Sequence, residues 1–183
     1  HAEREITADD RRWMAGLPGL VRFSLSGRRM VALHGGASRI NRWVFASTPA
    51  AEKRAEADLA GAEGVVAGHC GLPFVDTSGG RLWCNAGTVG LPANDGTPRV
   101  WYAILAPERA GAISIDIRAL TYEHARAAQK MRRAGLAESY ARALETGLWP
   151  PSDLLPAAER MAAGRALTIV RKFWMAAERP LAA

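Results

Sequence analysis

Val65-Val66-Ala67-Gly68-His69-Cys70-Gly71 is a short apolar run that stops at a glycine, a histidine and a second glycine. It reads as a buried strand that ends in a histidine-bearing loop. The same arrangement stands upstream, where Met30-Val31-Ala32-Leu33 runs into His34-Gly35-Gly36. A third version follows downstream, where Arg81-Leu82-Trp83-Cys84 leads into Asn85-Ala86-Gly87-Thr88-Val89-Gly90. Such loops put imidazoles and backbone N–H groups at the edge of a sheet, where metals and phosphates are commonly bound.

His34 and His69 are the sharpest candidates for chemistry. Each follows an apolar strand, and a neutral imidazole is a good ligand for Zn, Mn or Fe. The competing reading is a pair of hydrogen-bonded buried histidines. Gly87 and Gly90 allow positive φ and close approach of backbone to a phosphate, so the loop through Asn85, Gly87 and Thr88 is a candidate substrate-binding element. Gly35 is a weaker candidate for the same role. Cys70 reads either as a substitute ligand or as a small buried hydrophobe.

At these residues the chain resembles the calcineurin-like metallophosphoesterases, in particular their small bacterial phosphodiesterase branch. That family carries a strand followed by His-Gly, then Gly-His-x-His, then a loop close to Asn-Pro-Gly-Ser-Val-Gly. His34-Gly35, Gly68-His69-Cys70-Gly71 and Asn85 to Gly90 match in order and in the strand before each. The resemblance covers roughly residues 1 to 120. It implies that His34 and His69 hold one divalent metal ion of a centre containing one or two. It also implies that Gly35, Asn85, Gly87 and Thr88 border a phosphate ester. The departures are equally specific. Gly71 stands where the family places a ligand to the other metal, and the family's Asp-x-His, Gly-Asp and Gly-Asn-His motifs are not in the chain. His1-Ala2-Glu3 reads either as the stump of the last of these or as a tag remnant.

The chain has 183 residues, of which 49% are hydrophobic and 23% charged, so it can build an ordinary globular core. Its net charge of +6 suits anionic partners, although arginine outnumbers lysine heavily, as a GC-rich genome also produces. No aromatic-basic motif supports nucleic-acid binding. Two cysteines, Cys70 and Cys84, form no short-spaced pair, which suits a cytoplasmic protein with reduced thiols. No run of about 18 apolar residues predicts a membrane span.

The remaining pattern predicts an α/β fold. Thr7 caps a helix through Trp13, and hairpins join 20–24 to 29–33, 74–76 to 81–84, and 100–105 to 112–117. Short helices are expected over 39–46 and 49–60. Beyond residue 120 the pattern turns helical: 122–133 ending at Gly135, 136–145 ending at Gly147, and two more near 153–162 and 164–178. The expected architecture is therefore the C-terminal portion of a metallophosphoesterase sandwich over 1–120, with a helical extension over 121–183 packed on it. The stripe Ile169, Val170, Phe173, Trp174 and Ala177 is read as one face of the last helix, buried in the core or in a homo-oligomer contact. The sheet's open face calls for an N-terminal segment or a second chain to cover it. Two functions follow: a metal-dependent phosphoesterase, or a degenerate, non-catalytic binding or scaffold module.

Overall fold

A computed structural model describes residues 1–151 and 153–175. Two short helices open the chain, α1 (Ala2–Glu5) and α2 (Ala8–Ala15). Thr7 caps α2 as expected: its hydroxyl accepts from the Asp10 N–H, and the Asp10 carboxylate accepts from the Thr7 N–H. Neither helix buries a residue.

β1 (Leu20–Leu25) and β2 (Arg28–Leu33) form the first predicted hairpin. α3 (Ala50–Leu59) then crosses over to β3 (Gly64–Ala67), which lies parallel to β2. β4 (Phe74–Asp76) and β5 (Leu82–Asn85) form the second predicted hairpin, and β5 lies parallel to β3. The five strands order as β1-β2-β3-β5-β4. β6 (Val100–Pro107) and β7 (Ile113–Leu120) are the third hairpin and belong to a second sheet.

The strand period of two sorts the core into two layers. On one face of the first sheet, Met30, Leu82, Cys84 and Val75 meet Trp101, Ile113, Ile115 and Ile117 of the second sheet. On the other face, Val31, Val65 and Trp83 pack against Ala57 and Ala60 on and beside α3. The molecule is thus the predicted α/β sandwich with a helix on its outer face.

The chain past residue 120 contains α4 (His124–Arg133), α5 (Glu138–Thr146) and α6 (Ala157–Ala162). Arg132 donates to both Glu138 and Glu145, tying α4 to α5. The helix expected over 164–178 is corrected. Val170–Trp174 is a strand, β8, antiparallel to β7 in the order β6-β7-β8. Its β-branched and aromatic residues fit a strand, and Trp174 enters the sandwich core at 2% exposure. Phe173, read as part of the same apolar stripe, points to solvent instead. Ala177 lies outside the described residues.

The helix expected over 39–46 is also corrected, because that segment is irregular. It is held from outside. Glu56 on α3 accepts from the Ala37 N–H at 2.7 Å, the Ser38 N–H at 2.9 Å and the Ser38 hydroxyl at 2.6 Å. Arg42 pairs with the same carboxylate at 3.2 Å. The tail is bound to the sandwich in a comparable way. Glu159 accepts from the N–H and hydroxyl of Ser47, and Asp95 accepts from the Leu167 N–H.

Candidate functional site

The parallel pairing of β2 with β3 brings their C-terminal ends side by side. His34 follows β2 directly, and His69 lies two residues beyond β3. The Gly68 N–H donates to the His34 carbonyl at 2.8 Å, stitching the two exits together. The imidazoles then meet: His69 Nδ1 and His34 Nε2 are 2.8 Å apart, with ring planes at 66°. One of these two nitrogens donates and the other accepts.

His69 adopts φ +60, a left-handed conformation that is uncommon outside glycine. Its neighbours hold it there. The Cys70 N–H donates to the Gly68 carbonyl at 2.7 Å, and Asn85 Nδ2 donates to the same oxygen at 2.5 Å. Burial, and then the proximity of His34, keep the His69 pKa below its ordinary value; the smallest contribution, from the Asn41 backbone, works the other way. Its Nε2 is buried and meets no group at hydrogen-bonding geometry. The Trp43 ring lies over it, with centroids 4.1 Å apart.

The other candidates sit around this pair in distinct ways. Asn85 is fully buried and braces the loop: besides Gly68, its Nδ2 reaches Cys70 Sγ at 3.1 Å, and its Oδ1 accepts from the Gly87 N–H at 3.0 Å. Gly87 has φ +76, and a Cβ there would lie 2.9 Å from Trp101 Cβ, so only glycine fits. The Gly90 N–H donates to the Thr88 hydroxyl. Gly35 is buried beneath the Ile40 and Arg42 backbone, away from the cavity that the histidines border. Cys70 faces inward among Phe45 and Leu155, and burial pushes its thiol up to about 11.

His34, His69, Gly87 and Thr88 border one cavity of about 520 Å³. Half of the rest of its wall comes from the segment after residue 120, including Tyr140, Trp149 and Leu154. Trp149 takes the space of a residue-71 side chain: a Cβ on Gly71 would lie 3.2 Å from its ring carbons. Trp149 is not among the residues that the sequence singles out. The signal available was the glycine at 71, whose missing side chain leaves room that something must fill.

No family model matches the sequence, and no curated protein matches it. Solved structures do. A hypothetical protein of Pyrococcus horikoshii superposes with a TM-score of 0.65 at 12% identity, over 78% of this chain and 56% of that one. A metallophosphoesterase from Sphaerobacter thermophilus superposes with a TM-score of 0.64 at 22% identity, over 79% of this chain and 64% of that one. The fold is that of this metallophosphoesterase. The chain spans between half and two thirds of the length of these two structures.

A metal centre of such a phosphoesterase fold can be tested against the donors present. Two imidazole nitrogens about 2.0–2.1 Å from one tetrahedral ion lie about 3.3 Å apart, so a pair at hydrogen-bonding distance needs only a small opening to chelate. The spacing of His34 and His69 is therefore compatible with two coordination positions. Among the described residues no cluster of three or more His, Cys, Asp and Glu side chains could hold an ion. The Cys70 thiol does not extend the pair, because it is turned to the Leu72 carbonyl and kept protonated.

Proposed function

We propose that this chain carries the histidine portion of a divalent-metal centre in a phosphoesterase that hydrolyses phosphate esters. The observation that carries the reading is the convergence of His34 and His69 from two parallel strand tips, with their nitrogens 2.8 Å apart. His69 is held in a conformation that costs energy, and its depressed pKa leaves it neutral and able to donate a lone pair at pH 7.

Hydrolysis forms a bond from a water oxygen to phosphorus and breaks the ester P–O bond, and the departing oxygen takes up a proton. His34 and His69 would hold a divalent ion, which would lower the pKa of a bound water and offset phosphoryl charge. The chain's own residues shape the surroundings. Asn85 fixes the His69 loop, Gly87 admits close approach, and Thr88 offers a hydroxyl at the cavity rim.

The remaining donors come, in this reading, from an N-terminal segment or a second chain. The surface supports such a partner. β1 is an edge strand with Val21 and Phe23 exposed, and beside it in sequence Trp13 stands 67% exposed on a helix that buries nothing. The alternative, a non-catalytic binding module, is favoured by the two-donor site and by Trp149 filling the place of residue 71.

Calorimetric titration of the chain with Mn²⁺ and Zn²⁺ tests the metal reading. The expected result is binding that His34→Ala and His69→Ala each weaken by at least about tenfold. Binding indifferent to both substitutions refutes it. Turnover of bis-p-nitrophenyl phosphate, with the completing segment added, separates enzyme from binding module.

A further inference from the structure

The cavity beside the histidines has a wall that neither the fold nor the metal reading requires. We propose that it selects phosphate esters whose alcohol carries a flat aromatic group, and that Trp149 is the surface on which that group packs. The proposal rests on the phosphate-ester reading and adds the substrate class.

The wall is built from matched parts. Gly71 has φ +69 and no side chain, and the Trp149 ring sits 3.2 Å from where its Cβ would be. The indole cannot drift from that place. Its Nε1 donates to the Pro92 carbonyl at 2.5 Å, and its backbone N–H donates to Asn94 Oδ1 at 2.8 Å. Half-buried, it still lines the cavity. Trp43 provides a second aromatic surface, 40% exposed and already over His69. Tyr140 and Leu91 continue the lining.

The electrostatics agree. Among the described residues, the lining contains no Asp, Glu, Lys or Arg. A sugar or a charged alcohol entering here would lose water and gain few partners. A flat apolar ring would exchange water for ring faces, with further attraction from aromatic geometry. The volume, about 520 Å³, is ample for one ring and a phosphoryl group. The phosphoryl group takes the place by the histidines, and the aromatic group packs on Trp149, which lies beside Thr88 at Gly71.

Equilibrium binding of phenylphosphonate and methylphosphonate to the Mn²⁺-supplemented chain tests this without requiring turnover. We expect phenylphosphonate to bind at least about tenfold tighter. That preference should largely disappear in Trp149→Ala and largely survive in Trp149→Phe, which keeps a ring and guards against a folding defect. Equal affinities in the wild-type chain, or a preference unchanged in Trp149→Ala, overturn the proposal and leave the phosphate-ester reading intact. Binding of benzyl alcohol with no binding of either phosphonate overturns the phosphate-ester reading on which the proposal rests.

Discussion

Asn85→Asp separates a residue that braces the site from one that faces a ligand. The substitution keeps shape and exchanges one NH₂ for an oxygen. Asn85 is fully buried, and its Nδ2 donates to the Gly68 carbonyl at 2.5 Å and to Cys70 Sγ at 3.1 Å. An ionised aspartate loses both donations, turns an oxygen on the Gly68 carbonyl, and buries a charge. Loss of the Gly68 donation, with an acceptor left facing an acceptor, and of the weaker one to sulfur amounts to about 2–4 kcal/mol at pH 7. The sign with pH follows. A carboxyl in this position has a folded-state pKa raised above its unfolded value, because its protonated form can donate to Gly68 again. Its deficit relative to wild type is smallest below the unfolded value near pH 4 and grows until pH passes the folded value. Urea unfolding of both proteins, followed by circular dichroism at several pH values, reads the difference directly. Asn85→Leu, which cannot regain a donor, should show a deficit without that recovery. An Asn85→Asp protein within about 0.5 kcal/mol of wild type at pH 7.5 refutes the bracing role, as does a deficit that does not change with pH.

Three further outcomes follow from the same packing. Burial would raise the Glu56 pKa, but the bonds from Ser38 and Ala37 and the charge of Arg42 outweigh it and hold the carboxylate below the usual range. Its stabilisation is present above the unfolded value of 4.5 and is lost as pH falls through the folded one, so Glu56→Gln should cost about 1–3 kcal/mol at pH 7 and progressively less on acidification in urea titrations. Trp174→Ala should cost about 3–5 kcal/mol, since the ring fills the core between the sheets; a loss under about 1 kcal/mol would contradict the β8 placement. Gly147→Ala should lower the melting temperature far more than Gly135→Ala: both glycines have positive φ, but a Cβ at 147 would lie 2.2 Å from Thr97 N and O, whereas the space at 135 is open.

What was legible in the sequence was the part set by neighbours along the chain. Thr7 and Asp10 specify a cap within one turn, and Gly147 stops α5 from the next position. The alternating runs at 20–33 and 100–117 fold onto themselves. The histidine motifs were visible because each strand and its loop are contiguous, although their meeting depended on α3 crossing over to set β3 beside β2.

The errors share the opposite cause. Residues 39–46 have a composition that a helix tolerates, but the Glu56 carboxylate takes the N–H groups just upstream, and Gly35 lets the Ile40 and Arg42 backbone lie across it. Residues 170–174 repeat apolar side chains at a spacing that a helix also satisfies; the open edge of β7 and the space for Trp174 decide for a strand. Trp149 belongs to the same class. Nothing near it in sequence indicates that it fills a space at residue 71, 78 positions away, so the glycine after Cys70 and an aromatic residue beyond α5 have meaning only together. That pairing is also why the cavity's chemistry cannot be taken over from the fold. Part of its lining comes from strand-tip loops, and the rest, Tyr140 and Trp149 included, comes from a segment that follows them in the chain.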